Sequence, residues 1–325
     1  MEKIKFLTMA ALATAVFASC SNEDGLPQSN YPADNVVRIM TSVDGMNTRA
    51  SYGGSTAKLS SFGFCINNAG SDKYTYDNIK VTQENGKWNP ATQMLWQNST
   101  TAVDILAYAP YQANGNVKIF GKSDYAFSVK EDQSNAEDYS SDLIVYKQTG
   151  FTPGSELNTS KAVDVAFTHL LSQLNLTIEL RDQFNQDEKK PVTEATVTDV
   201  KVNGTIISSK VDFSASPISV QVDDTQEATA ITPETTEFKA AGKTTDHAAF
   251  NYSAIVIPQT VTAGNFSISF KVDGTDYIWT STSDVNFVSG NKHQLSLLVG
   301  KDVVQVKGIT ATPWGKENIT QGETD

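Results

Sequence analysis

The C-terminal region of the chain alternates apolar and polar residues with a period of two, which places one face of a β-strand in a core and the other in solvent. The alternation runs from Phe266 to Val272, resumes over Leu295 to Val299, and returns over Val303 to Ile309. Asp273-Gly274 follows the first run, and this dipeptide is a common hairpin centre because both residues tolerate positive φ. The pattern predicts successive antiparallel strands at the end of the chain.

Similar strand-like patterns recur through the rest of the chain, separated by turn residues. In the first half they occupy residues 36–43, 59–66, 74–82, 103–108 and 143–146. In the second half, one turn of helical spacing around Leu170 leads into alternation over Leu174 to Leu180, and Asn203-Gly204 predicts a further hairpin. Residues 221–248 are rich in Thr, Glu and Ala and predict a surface excursion. Strands are therefore the main predicted element, and the fold class is all-β.

Composition narrows the classes of function. The chain has 325 residues, which is enough for two domains with separate cores. It contains 37 acidic and 25 basic residues, and its net charge is −12. Nucleic-acid binding needs a basic surface that replaces the counterions of phosphate groups, so this charge argues against DNA or RNA as a partner.

The N-terminal residues have the pattern of an export signal. Lys3 and Lys5 precede an apolar run from Phe6 to Ala18, which is too short to span a bilayer but suits a signal peptide. The residues 17–20, Phe-Ala-Ser-Cys, resemble a bacterial lipobox, so we expect cleavage before Cys20 and acylation of its thiol. An ordinary signal peptide that happens to contain a cysteine is the alternative.

Residues with catalytic chemistry are scarce. If Cys20 carries lipid, Cys65 has no partner for an internal disulfide, and its apolar surroundings predict a buried, inert thiol. The three histidines, at 169, 247 and 293, share no metal-ligand spacing with a carboxylate or thiol. The sequence contains no HExxH, CxxC or GxSxG motif. We therefore predict that the protein is not an enzyme and requires no metal or cofactor.

Four tryptophans permit two interpretations. Flat indole rings at a surface would stack against sugars in a carbohydrate-binding adhesin. Packing in a core or at a strand edge is the more frequent use of tryptophan in β-sandwiches. We favour packing for all four residues, which are Trp88, Trp96, Trp279 and Trp314.

Several short motifs follow one another in a defined order. Phe167-x-His169-x-x-Ser172-x-Leu174 comes first, then Ala254 to Gln259, then Gly290-x-Lys292-His293-x-Leu295, and finally Pro313-Trp314. No single motif is specific, but this ordered set behind a lipobox resembles the fimbrillin family, the Mfa-like type V pilins and related surface lipoproteins of Bacteroidales. The resemblance covers nearly the whole chain that follows the signal peptide. It implies two tandem transthyretin-like β-sandwich domains after a signal peptide and a short leader.

The resemblance also implies a division of the chain into four parts. Residues 1–19 would be the lipoprotein signal peptide, and residues 20–49 the tether and a removable first strand. Residues 50–163 would form the N-terminal β-sandwich domain. Residues 164–325 would form the C-terminal β-sandwich domain, which ends in a donor-strand segment.

In type V pilins, a surface protease removes the first strand of a lipidated precursor, and an extended C-terminal segment of another subunit fills the groove. Mapped here, the resemblance implies cleavage between Arg49 and Ala50 by an Arg-specific protease. The removable strand would contribute Val37, Ile39, Thr41 and Val43. The donor strand would contribute Val304, Val306, Ile309 and Trp314. Alternation alone fits an ordinary last strand of the same domain equally well, and Arg49 also fits an ordinary solvated loop arginine.

The expected role is that of a structural subunit of a type V fimbria that serves surface adhesion. Its partners would be other fimbrial subunits, the Arg-specific surface protease, a ligand on a host or bacterial surface, and the outer membrane through the lipid. The expected location is the outer membrane and then the fimbrium at the cell surface. Two alternatives stay open: a permanently anchored, monomeric lipoprotein that binds carbohydrate, and a tip or anchor component of the same pilus.

Overall fold

A computed structural model of the chain describes residues 30–43, 58–113, 118–186, 191–242 and 246–314. Within these ranges the backbone forms β-strands joined by turns, and one short α-helix, α1 (Pro153–Glu156). The first strands are β1 (Ile39–Val43), β2 (Ser61–Asn67), β3 (Tyr76–Glu84), β4 (Lys87–Pro90), β5 (Val103–Ala109), β6 (Tyr125–Ser128), β7 (Ile144–Phe151) and β8 (Val163–His169).

The second half of the chain contributes the other strands. They are β9 (Ser172–Leu180), β10 (Val197–Asn203), β11 (Ser208–Asp212), β12 (Ser219–Val222), β13 (Glu234–Lys239), β14 (Ala248–Val256), β15 (Gln259–Val261), β16 (Ser267–Val272), β17 (Thr275–Thr280), β18 (Val285–Phe287), β19 (Asn291–Val299) and β20 (Val304–Pro313). The prediction of an all-β fold is confirmed.

A seven-stranded sheet with the order β1-β8-β7-β5-β2-β3-β4 dominates the first half of the chain. Its central strand β5 is an almost unbroken apolar run because both of its faces are covered. Ile105 and Ala107 belong to a core on one face of the sheet. Leu106 and Tyr108 belong to a second core on the opposite face. The sheet therefore lies between two cores.

The second half of the chain builds a five-stranded sheet with the order β13-β14-β9-β19-β20 and a three-stranded sheet with the order β10-β16-β17. Leu174, Leu176 and Ile178 of β9 lie on one side of the strand and are fully buried, as the alternation of the sequence requires. β9 runs parallel to β19 and antiparallel to β14. β20 pairs only with β19 among the described strands and forms one edge of the sheet.

A small sheet joins the two halves of the chain. β6 pairs with β11, and β11 pairs with β12, so residues far apart in sequence share one ladder. The chain itself passes from the seven-stranded to the five-stranded sheet between His169 and Ser172. The predicted division into domains at residues 163 and 164 stays a prediction.

Two hairpin predictions had different outcomes. Asp273 and Gly274 have φ angles of 50° and 80° and join β16 to β17, as the sequence indicated. The hairpin expected at Asn203-Gly204 is wrong, since β10 pairs with β16 while β11 pairs with β6 and β12. Gly204 serves a close approach instead: a Cβ atom there would lie 2.0 Å from the carbonyl oxygen of Asn265.

Other local predictions need correction as well. The helical turn expected around Leu170 is absent, because β8 ends at His169 and β9 begins at Ser172. Residues 221–248 are more than a surface excursion, because they contain β13, which pairs with β14. Finally, the last strands do not form one continuous antiparallel series: β16 and β17 lie in the three-stranded sheet, and β19 and β20 lie in the five-stranded one.

Candidate functional site

β1 lies at one edge of the seven-stranded sheet and pairs with β8 alone among the described strands. The two strands are parallel, with a register from Ile39 opposite Val163 to Val43 opposite Phe167. Ile39 and Val43 are buried in the core below the sheet. The strand can therefore leave the sheet without breaking any other ladder.

The residues before β1 add further contacts. Val37 is also buried, and its backbone N–H donates a hydrogen bond of 3.0 Å to the carbonyl of Met94. On the exposed side, Arg38 donates hydrogen bonds to Asp34 and lowers the pKa of that carboxyl group to about 2. Of the four side chains assigned to the removable strand, the three apolar ones are buried in the core, and Thr41 is partly covered.

The free side of β1 borders a surface groove of about 770 Å³. Residues 36–41 line one wall, and β4, with Trp88 and Asn89, lines the other. β1 and β4 are the two edge strands of the same sheet, so the sheet curls until its edges face each other across this groove. Open backbone groups along such edges are ready to pair with an added strand.

At the other end of the described chain, β20 presents apolar side chains to solvent. Val306 and Ile309 lie opposite Leu297 and Leu295 of β19, whose side chains are buried. A bulge at Lys307 keeps Val306 and Ile309 on one side of the strand. They nevertheless remain 46% and 41% exposed. β20 is the edge strand, and the core that buries the side chains of β19 does not cover those of β20.

Trp314 has different surroundings from the apolar residues of β20. Its side chain is only 6% exposed, and its ring stacks on the imidazole of His169 with 3.8 Å between centroids and 5° between planes. The ammonium group of Lys292 lies 5.8 Å from the ring centroid. The backbone N–H of Trp314 donates to the carbonyl of Gly290 at 2.7 Å. We call His169, Gly290 and Lys292 the tryptophan seat.

The titratable side chains of the described residues were compared with the chemistry that metal binding and nucleophilic catalysis require. Within the described residues, no group of three His, Cys, Asp or Glu side chains could hold a metal ion. Cys65 is buried as predicted, and burial raises the pKa of its thiol well above the usual value. Burial lowers the pKa of His293, whose Nε2 accepts a hydrogen bond from the backbone of Val288.

The tryptophans contribute mainly to packing. Trp96 is buried and stacks on Phe151, and Trp279 packs edge to face on Phe266. Trp88 is partly buried, with Phe62 at its edge, and also lines the groove beside β1.

Several predicted sites lie outside the described residues, namely Cys20, Arg49 and Ala50, and they stay predictions. No helix in the described part of the chain is long and apolar enough to cross a membrane. Sequence reasoning missed the contribution of β4 to the groove and the role of Asp142, which bonds to His169. The motif Gly290-x-Lys292-His293 was recognised, but nothing in the sequence connected it to Trp314.

The sequence and the fold were compared with family models, curated proteins and solved structures. A family model described as fimbrillin-like matches residues 48–314. No curated protein matches the sequence. A putative cell adhesion protein from Bacteroides ovatus has the same fold, with a TM-score of 0.62 and 12% identity over 87% of this chain and 99% of that one. A putative cell adhesion protein from Bacteroides uniformis gives a TM-score of 0.54 and 19% identity, over 86% of this chain and 100% of that one.

Proposed function

The chain belongs to the fimbrillin-like family, and on that premise we propose that it is a fimbrial subunit that polymerises by donation of its C-terminal strand. Members of this family are structural pilus proteins, which confirms the prediction that the protein is not an enzyme. The proposed partner is another fimbrial subunit, and the proposed location is the cell surface.

The observation that carries the proposal is the exposure of β20. An edge strand with exposed apolar side chains is a template for association, and soluble proteins usually protect such edges. Val306 and Ile309 retain much of the apolar surface that a partner could cover. Full burial of such a side chain contributes about 1.5–3 kcal/mol. In the monomer the exposed side chains of Val306 and Ile309 contribute little to stability. Donation of β20 would bury them against another subunit.

The receiving site would be the place of β1. Removal of this strand would uncover Val163, Val165 and Phe167 of β8, which are fully buried in its presence. It would also join that space to the groove already open between β1 and β4. A strand from another subunit restores both the apolar cover and the backbone hydrogen bonds, which is the mode of binding called β-strand addition.

We further propose that an Arg-specific surface protease cuts between Arg49 and Ala50 after a lipid on Cys20 has fixed the precursor to the outer membrane. This position supports the proposal because it lies between β1 and β2 and interrupts neither strand. A single cut would separate β1 from the rest of the fold, since every other described strand follows it in sequence.

The experiment compares protein that begins at Ser21 with protein that begins at Ala50, each incubated alone and then run unheated on a denaturing gel. We expect a heat-labile ladder from the shorter form only, and no ladder when that form ends at Asp302. Circular dichroism of both forms checks that they retain β-structure. Monomers from both folded forms would contradict strand donation.

A second role has one supporting feature, which is Trp88 in the groove beside β1 together with the amides of Gln83 and Asn89. A flat ring and amide groups suit the apolar face and hydroxyl groups of a sugar. The protein would then keep β1 and act as an anchored, monomeric carbohydrate-binding lipoprotein. Glycan binding by the form that begins at Ser21, lost on Trp88→Ala, would favour this role.

A further inference from the structure

β8 contacts both strands of the proposed exchange. Its residues Val163 to Phe167 pair with β1, the strand proposed to leave. His169, at the end of the same strand, carries the stacked ring of Trp314, which directly follows β20. One short strand thus connects the receiving site of the subunit to the strand that it would donate.

The connection between Trp314 and the end of β8 is double. The first link is the stacking of the indole on His169. The second link runs through the backbone: the carbonyl of Gly290 accepts from Trp314, and the N–H of Gly290 donates to the carbonyl of Leu171 at 2.9 Å. Gly290 also lies close to His169, because a Cβ atom on it would lie 3.4 Å from the carbonyl oxygen of His169. A displacement of residues 169–171 would therefore disturb both links.

The position of His169 depends on how β8 is held. Its Nδ1 lies 2.9 Å from the Oδ1 of Asp142, and both side chains are buried. β8 pairs with β7 only at Ile144 with His169 and at Val145 with Thr168. Along the rest of its length its ladder partner is β1. Loss of β1 would leave β8 with this two-residue ladder and the adjoining hydrogen bond of 2.9 Å from the backbone N–H of Leu170 to the carbonyl of Leu143, next to the seat.

Few side chains hold the outer part of β20 to the rest of the described chain. The ammonium group of Lys307 pairs with Glu179 at 2.6 Å, and Arg181 donates to Gln305 at 2.5 Å. Its backbone pairs with β19, but Val306 and Ile309 are half exposed. Val304 is partly buried against the core. Trp314 is the large side chain of this segment that is almost fully covered. Detachment of β20 from its own sheet therefore requires Trp314 to leave the seat.

We propose that Trp314 locks β20 onto its own subunit and that the departure of β1 from β8 opens the lock. The subunit then offers its C-terminal strand only after its own first strand has gone. The lock prevents a precursor from donating its C-terminal strand before maturation. The subunit that would otherwise accept this strand is a mature one with an empty receiving site. This inference rests on the proposed strand exchange.

The test measures hydrogen exchange by mass spectrometry in protein that begins at Ser21, which contains every described residue. Ile39→Ala/Val43→Ala weakens the docking of β1, because both side chains are buried. Met40→Ala/Ser42→Ala is the matched control, since these neighbours on the same strand are exposed. We expect exchange in residues 304–313 to rise at least tenfold in the first variant and to stay at the wild-type rate in the control. The exchange rate of peptides from β13, at the opposite edge of the same sheet, should stay the same. A rise there would indicate global unfolding instead of local release of β20.

A second pair of variants tests the lock directly. Trp314→Ala should raise exchange in residues 304–313 at least tenfold with β1 intact, and Ile309→Ala should not. Because both routes open the same contact, weakening β1 in the Trp314→Ala background should add no further increase. A wild-type rate in Trp314→Ala would overturn the lock. A response to Trp314→Ala without a response to the weakening of β1 would overturn the coupling through β8.

The outcome is distinguishable from failure of the proposed function. If the gel assay gives a ladder but the exchange rate of residues 304–313 does not change when the docking of β1 is weakened, strand donation stands and the coupling is wrong. If exchange responds as expected but no ladder forms, the coupling stands and strand donation is wrong.

Discussion

Thr41 is the one polar residue among the four that were predicted to belong to the removable strand. Its hydroxyl oxygen is buried and has no hydrogen-bond partner within the described residues. A buried polar group without a partner costs about 1–3 kcal/mol. Ile39 and Val43, two positions away on either side, bury purely apolar side chains in the same core. Thr41 therefore weakens the docking of β1, which suits the proposal that this strand is removed.

Thr41→Val should raise the free energy of unfolding of the form that begins at Ser21 by about 1 kcal/mol, because valine has nearly the same shape and no hydroxyl. Urea denaturation measures this difference. Ser42→Ala, on the exposed side of the same strand, should change stability by less than about 0.5 kcal/mol. A destabilised Thr41→Val variant would show that the hydroxyl makes a favourable contact.

The surroundings of some single residues could be predicted from the sequence, and those of others could not. Cys65 was predicted to be a buried thiol because its neighbours are apolar on both sides, and it is buried. Trp314 was grouped with Val306 and Ile309 because alternation gives no information on what lies beneath a strand. Its contact with His169 joins residues far apart in sequence, and such contacts leave no local pattern.

At the scale of elements, β20 shows that an apolar pattern need not mean burial. Exposed positions of a monomer tolerate polar substitution with changes within about 0.5 kcal/mol. The same positions become buried if the strand is donated. A polar substitution at these positions should therefore leave the stability of the monomer nearly unchanged and reduce the formation of the polymer.

Val306→Thr/Ile309→Thr tests this difference while keeping β-branched side chains, which suit a strand. We expect the melting temperature of the form that begins at Ser21 to shift by only a few degrees, as measured by circular dichroism. We expect the ladder from the form that begins at Ala50 to disappear. Gln305→Thr/Lys307→Thr is the matched control on the same strand and should keep the ladder. Equal ladders from both double variants would exclude these apolar side chains as the donor contacts.

Pairing between strands that are neighbours in the sequence was predictable, and pairing between distant strands was not. The β16–β17 hairpin was predictable because Asp273-Gly274 encodes its turn within the strands it joins. The segment that joins β10 to β11 also begins with a glycine, Gly204, yet each strand pairs with a strand elsewhere in the chain. β13 was missed because only alternate residues of this edge strand are buried or partly buried, and its sequence, ETTEFK, is polar.

At the scale of the whole molecule, the two halves of the chain are linked by contacts that no boundary in the sequence indicates. β6 pairs with β11 across this division. The buried side chain of Gln133 donates to and accepts from the backbone of Ile255, at 2.9 and 2.7 Å. The two domains predicted at residues 50–163 and 164–325 thus share a ladder and buried hydrogen bonds.

Lys147 makes the most concentrated of these contacts. Its ammonium group on β7 donates to the carbonyls of Phe213, Ser214 and Ala215, at 2.8, 2.9 and 2.8 Å. Partial burial lowers the pKa of this lysine, so its charge is costly unless these carbonyls surround it. Hydrogen bonds that involve a charged group contribute about 1.5–3 kcal/mol to stability.

Lys147→Met should therefore lower the free energy of unfolding by about 2 kcal/mol, because three carbonyls lose their donor while the apolar stem is kept. Urea denaturation followed by circular dichroism measures the loss. Lys210→Met is the matched control, since Lys210 on β11 is exposed and pairs with Asp223, and surface ion pairs contribute about 0–1 kcal/mol. If the Lys147 variant instead unfolds in two separate steps, the ammonium group is what makes the two halves unfold together. If it unfolds like wild type, the shared ladder of β6 and β11 is sufficient to join them.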